Sequence, residues 1–292
     1  MVRSDHVCSV LLAATASICV SQFALAQQKP DCSVVGELQL IPFSSNVFHN
    51  TRILRVWLPP GYDSPDHRGE RYPVLYLNDG QDLFDACTSI FNAEEWGVDE
   101  TATELIQRGR VPPLIIVGID NAGKRDRPKE YLPFPDDTLR PATPKVYGKN
   151  YPRFLVDEVM PFIDRKYRTD PNPATTGIGG SSYGAGIALY TVMRRPGRFG
   201  KLLIESPSLY AHDDYLLHQA DAFNRWPSKI FVGVGSINEP VDDVHRLQAI
   251  LRLHGLGSQG LLVVEEPGAG HNERAWAQRF PRALEFLYAG GN

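Results

Sequence analysis

The sequence predicts an α/β fold with a mostly parallel central sheet of about eight strands and helices on both faces. Three observations carry this. Short apolar runs recur at 74–77, 114–119, 174–178, 201–204, 230–234 and 261–264, and runs without polar alternation suit strands buried on both faces. Amphipathic segments of helical length lie between them, at 98–107, 151–167, 185–194, 241–254 and 273–288. Strands alternating with helices imply parallel pairing, because each crossover helix must cover the sheet it leaves. In the middle of this alternation stands a glycine-rich strand-to-helix junction, Gly180-Ser181-Ser182-Tyr183-Gly184.

Taken in order, residues 1–26 have the form of a secretory signal, with Arg3 near the start, an apolar run over 7–20 and Ala24-Leu25-Ala26 as the cleavage site. The run is too short and too serine-dotted for a membrane span. Cleavage leaves residues 27–292 as one domain, secreted or periplasmic, with no integral membrane segment. A formal net charge of −4 implies no general attraction to nucleic acid. Cys8 and Cys19 leave with the signal, whereas Cys32 and Cys87 either pair or stay as two unreactive thiols, a choice that their Cα separation decides. Segments 34–41 and 53–58 alternate in polarity and end at Pro59-Pro60-Gly61, as expected of an antiparallel pair at one sheet edge. The connection over 121–149 is long and proline-rich, which suits a functional rim over a site.

The junction at 180–184 fits G-x-S-x-G. A serine on so sharp a turn is held exposed above the sheet, and glycine two places either side lets the chains approach. No lysine follows as in a phosphate loop, and Ser182 occupies the place of a dinucleotide fingerprint's third glycine. Ser182 is therefore the candidate nucleophile, and it needs a base with a third group to orient that base. Of eight histidines, His271 is distinguished by following the last strand through the loop Pro267-Gly268-Ala269-Gly270, which places it at the carboxyl edge of the sheet. The orienting acid belongs between serine and histidine in the chain, just past the strand at 230–234. Glu239 is favoured there, while Asp242 and Asp243 open the next helix and would serve equally to complement its dipole. Backbone N–H donors for an oxyanion are expected from Tyr183 and from Gln81, in the turn Asn78-Asp79-Gly80-Gln81. No metal and no cofactor is expected, since neither His271-Asn272-Glu273 nor the cysteines form a zinc pattern.

With these residues in place the chain resembles the Putative esterase family of α/β-hydrolases, which includes enterochelin, feruloyl and S-formylglutathione esterases and the mycolyltransferases. The resemblance runs from about Leu54 to Leu287 and rests on the segment from Tyr76 to Asp85, on Val117-Gly118-Ile119-Asp120-Asn121, Glu130-Tyr131, Gly180 to Gly184, Ser206-Pro207-Ser208 and His271-Asn272-Glu273. It implies a secreted serine esterase that forms an acyl-enzyme on Ser182, with His271 as base. The acid departs from the family's spacing, because Asn238 stands three residues after Gly235 and Glu239 one later. Expected substrates are small esters: acyl sugars, aromatic esters or siderophore-like esters. Acyl transfer of the mycolyltransferase type is the alternative chemistry, and a non-catalytic binding module is the alternative to an enzyme. In the 121–149 rim, Tyr131, Phe134 and Tyr147 are candidates for substrate contact, and Lys124, Arg125, Arg127 and Lys129 for an anionic group or for a solvated turn.

Overall fold

Eight strands form one sheet in the order β1-β2-β4-β3-β5-β6-β7-β8. The computed structural model describes residues 32, 34–91, 94–136 and 145–290, so the predicted signal segment and the centre of the 121–149 connection lie outside the described residues. β1 (Glu37–Ser45) and β2 (Asn50–Leu58) pair antiparallel at one edge, with Glu37 opposite Leu58. β2 also runs antiparallel to β4 (Ile115–Ile119). The remaining neighbours are parallel: β3 (Val74–Asn78), β5 (Thr176–Ser181), β6 (Lys201–Glu205), β7 (Lys229–Gly235) and β8 (Leu261–Glu266).

The period-two pleat divides the apolar runs between two cores. Val74, Tyr76, Val117 and Ile119 face one side with Leu189 of α5 (Tyr183–Arg194) and Leu247 of α7 (Val241–Leu253). Leu75, Leu77 and Ile116 face the other, against Leu105 of α1 (Val98–Gln107) and Phe280 and Leu284 of α8 (Glu273–Tyr288). Burial on both faces is why these strands carry no polar alternation.

Three elements differ from expectation. The helix predicted over 151–167 is divided into α3 (Tyr151–Arg153), a π-helical stretch Phe154–Val159 and α4 (Met160–Lys166). Pro161 has no N–H for the carbonyl four residues back, and the wider turn lies just before it. Two helices escape the apolar pattern: α2 (Arg127–Tyr131) and α6 (Ala211–Asp221). α6 enters through His212, Asp213 and Asp214 in left-handed conformations with φ of 55°, 51° and 57°, where periodicity gives no signal.

Cys32 and Cys87 are joined in a disulfide, with Cα atoms 5.3 Å apart and a sequence separation of 55. Closing so long a loop removes unfolded-state entropy, so reduction is expected to cost on the order of 2–4 kcal/mol. Thermal unfolding with and without dithiothreitol checks this, and an unchanged midpoint would contradict it.

Candidate active site

β5 is central, and its carboxyl end delivers Ser182 between strand and helix with φ 55° and ψ −125°. A non-glycine residue held there costs on the order of 1–3 kcal/mol, which the surrounding structure must offset. It does so through packing. A Cβ on Gly180 would come within 2.9 Å of the Gly184 backbone, and one on Gly184 within 2.8 Å of Asp79 Oδ2. The Ser182 N–H donates to Glu205 O at 2.9 Å, and Ser182 Oγ lies 3.5 Å from Ser208 Oγ.

His271 and Glu239 leave adjacent strands, β8 and β7, and their loops are sewn together. Ala269 O accepts from both Ser236 N and Ile237 N at 3.0 Å, and Ser236 Oγ accepts from Gly268 N at 2.8 Å. A Cβ on Gly235 would meet Ala269 O at 2.2 Å, so only glycine admits this approach. The result brings His271 Nδ1 to 3.0 Å from Glu239 Oε2. The Glu239 side chain is fully buried and its Oε1 accepts from Ser206 Oγ at 2.8 Å, which in turn accepts from Trp276 Nε1 at 3.0 Å. The His271 ring is held edge-on to Trp276, centroids 5.2 Å apart. Asp243 instead pairs with Arg246 at 3.3 Å, within a group that includes Asp214.

Ser182 and His271 line one cleft of about 190 Å³, together with the aromatic walls Phe91, Trp96 and Trp276. Beside the elbow, a single 3₁₀ turn, Gly80–Asp82, follows β3 with Asp79 in the left-handed region at φ 59°. Tyr183 opens α5 and Gln81 sits in that short turn, so both amides lack an acceptor within their own helices. The turn is tied to the elbow from behind. Arg127 donates to both Asp79 carboxylate oxygens, at 2.7 and 2.8 Å, and to Ser181 O at 3.3 Å, while Asn121 Nδ2 donates to Asp79 Oδ1 at 2.6 Å.

The candidates named on the predicted rim differ in placement. Tyr131 is fully buried, with its hydroxyl accepting from Asp79 N at 3.2 Å, so it supports the turn from inside. Phe134 stacks on His212, centroids 4.7 Å apart, in a narrow slot beside Tyr183. Tyr147 packs on Phe48, outside the residues that line the cleft. Of the four cations proposed for an anion, Arg127 is buried against Asp79 and Lys129 is paired with Asp126 at 2.5 Å, whereas Lys124 lines the cleft. The aromatic walls were not legible as such, since Trp96 and Trp276 belong to segments whose pattern signals only a core.

Asp82, also on the cleft lining, is 2 % exposed. Its Oδ1 accepts from Ile90 N at 2.9 Å. Burial, and then the charge of Asp79, push its carboxyl up to about 7. A carboxyl whose pKa is higher folded than unfolded favours the native state below its unfolded value, and that contribution is lost as pH rises through about 7. Asp82→Asn is therefore expected to be more stable relative to wild type at about pH 8 than at about pH 4, by up to roughly 4 kcal/mol. Urea midpoints at the two pH values test this, and the same difference at both would contradict it.

A family model described as Putative esterase matches residues 45–287. The endo-1,4-beta-xylanase/feruloyl esterase of Xylanibacter ruminicola is 24% identical over 268 residues, 87% of this chain but 31% of that protein. The ferri-bacillibactin esterase BesA of Bacillus subtilis is 24% identical over 227 residues, 68% of this chain and 73% of that one. Among solved structures, the enterobactin esterase FES from Shigella flexneri superposes with a TM-score of 0.69 at 21% identity, covering 87% of this chain and 59% of that chain. The sheet and its helices thus have the α/β-hydrolase fold.

Proposed function

Since the chain belongs to the Putative esterase family of carboxylic ester hydrolases, we propose that it is a serine esterase working through an acyl-enzyme on Ser182. The observation that carries this is the His271–Glu239 contact of 3.0 Å at the mouth of a cleft that Ser182 also lines. With Nδ1 engaged by Glu239, the other ring nitrogen, Nε2, serves as base. It takes the proton from Ser182 Oγ as that oxygen attacks the ester carbonyl, and returns it to the leaving alkoxide. The tetrahedral oxyanion is held by the amides of Gln81 and Tyr183, each donor worth about 3 kcal/mol in the transition state. Water then releases the acyl group by the same route. Nothing in these steps calls on a metal or a cofactor.

The cleft's aromatic walls favour a flat acyl or alcohol group, and similar proteins named as a feruloyl esterase and a ferri-bacillibactin esterase support trying esters of those two kinds first. Among the described residues no helix is long and apolar enough to cross a membrane. The form of residues 1–26 and the Cys32–Cys87 disulfide support export to an oxidising compartment. The test is intact mass after a fluorophosphonate probe, followed by hydrolysis of an ester panel from acetyl sugars to feruloyl and catecholate esters. One adduct per chain, absent from Ser182→Ala, is expected. A folded wild-type protein that takes up no probe would end the serine mechanism and favour a binding module, and transfer of the acyl group to an added alcohol in preference to water would move the chemistry to acyl transfer.

A further inference from the structure

Behind Glu239, Ser206 follows β6 in the left-handed region at φ 43° and is fully buried. A non-glycine residue is held in that region only where its surroundings over-determine it, and the contacts that do so here converge on Glu239. The Ser206 N–H donates at 2.7 Å to Gly233 O of β7, the strand whose exit loop carries Glu239. Ser206 Oγ lies 2.8 Å from Glu239 Oε1 and 3.0 Å from Trp276 Nε1 of α8. Trp276 also meets His271 edge-on, so one indole touches the imidazole directly and reaches the acid through a single hydroxyl.

The direction of these hydrogen bonds is fixed by the groups that make them. An indole nitrogen only donates, so Ser206 Oγ accepts from Trp276 and its own proton is left for Glu239 Oε1. The buried carboxylate then has a donor on one oxygen, and Oε2 remains for the His271 Nδ1–H, 3.0 Å away. We propose that Ser206 is a positioning residue: its hydroxyl, aimed by Trp276, holds Glu239 in the orientation that keeps the His271 proton on Nδ1 and the lone pair on Nε2. This rests on the serine-esterase reading above, in which Nε2 is the base toward Ser182. A purely structural role asks only that the buried Trp276 N–H find an acceptor, and it lowers stability without changing the chemistry of the folded protein. A positioning role lowers turnover, and does so only through Glu239.

Ser206→Ala is expected to lower kcat on a chromogenic ester by about 10–100-fold, the worth of one hydrogen bond to a charged group, and to leave KM within about twofold. In a Glu239→Gln background the sign is expected to reverse. There the Ser206 proton draws the glutamine oxygen to itself and turns the amide N–H toward the imidazole, whereas without the hydroxyl the side chain is free to present its oxygen to Nδ1. The double variant should therefore match or exceed Glu239→Gln in kcat, with circular dichroism checking the fold of each. Should Ser206→Ala fail to fold, Ser206→Gly, which suits a φ of 43°, carries the same test. A wild type that takes up no fluorophosphonate, or a Glu239→Gln enzyme with wild-type kcat, removes the serine mechanism or its acid, and this inference with it. With both of those intact, a folded Ser206→Ala enzyme at wild-type kcat, or an equal fold-loss in both backgrounds, overturns the positioning role alone.

Discussion

Replacing Ser182 with alanine is expected to lower kcat on a good ester substrate by about 10⁶ while leaving the protein folded and KM little changed. In the proposed mechanism the size of the effect comes from removing the only atom that bonds to the acyl group, whereas the amides of Gln81 and Tyr183 would still hold a carbonyl. About 10³–10⁴ over the uncatalysed rate should therefore survive. Stability should not suffer and is expected to rise slightly or stay level, because alanine relaxes nothing at φ 55° but also forfeits only a 3.5 Å contact to Ser208 Oγ. Circular dichroism and a burst assay with a chromogenic ester separate loss of chemistry from loss of fold. A folded variant keeping a substantial fraction of wild-type turnover would remove Ser182 from the mechanism.

Glu239→Gln is expected to lower kcat by about 10⁴. The buried carboxylate accepts from His271 Nδ1 on one oxygen and from Ser206 Oγ on the other. A glutamine can satisfy the serine with its oxygen only by turning its amide toward the imidazole, which then presents the wrong tautomer to the nucleophile. The matched controls are Asp242→Asn and Asp243→Asn. Both lie in the first turn of α7, and both should stay within a few-fold of wild type, since charge at a helix start is worth about 0.3–1 kcal/mol and touches no reacting atom. A Glu239→Gln enzyme as active as those controls would show that serine and histidine suffice without the acid.

Much of the architecture was legible because its cause is local. Val74 to Leu77 and Ile230 to Val234 are apolar at every position, and only a strand covered on both faces accommodates that. The elbow was legible because glycines at 180 and 184 are demanded by contacts of 2.9 and 2.8 Å that no Cβ could share. Glu239 and His271 could be nominated from chain order, because parallel strands deliver their exits to one edge. What escaped was decided between distant segments. Tyr131, expected on an exposed rim, is buried under the Asp79 turn, since nothing in a proline-rich stretch announces which ring turns inward.

The sequence by itself determined the strand and helix periods, the strained serine and the order in which serine, acid and histidine leave the sheet, because each depends on steric and hydrophobic rules acting within a few residues. Only the tertiary structure decided the 3.0 Å meeting of His271 with Glu239, the Arg127 clamp on the Asp79 turn and the aromatic walls of the cleft. Those contacts join residues 32 or more positions apart. Their geometry is set by how the two cores pack against one sheet, and no window of sequence contains that information.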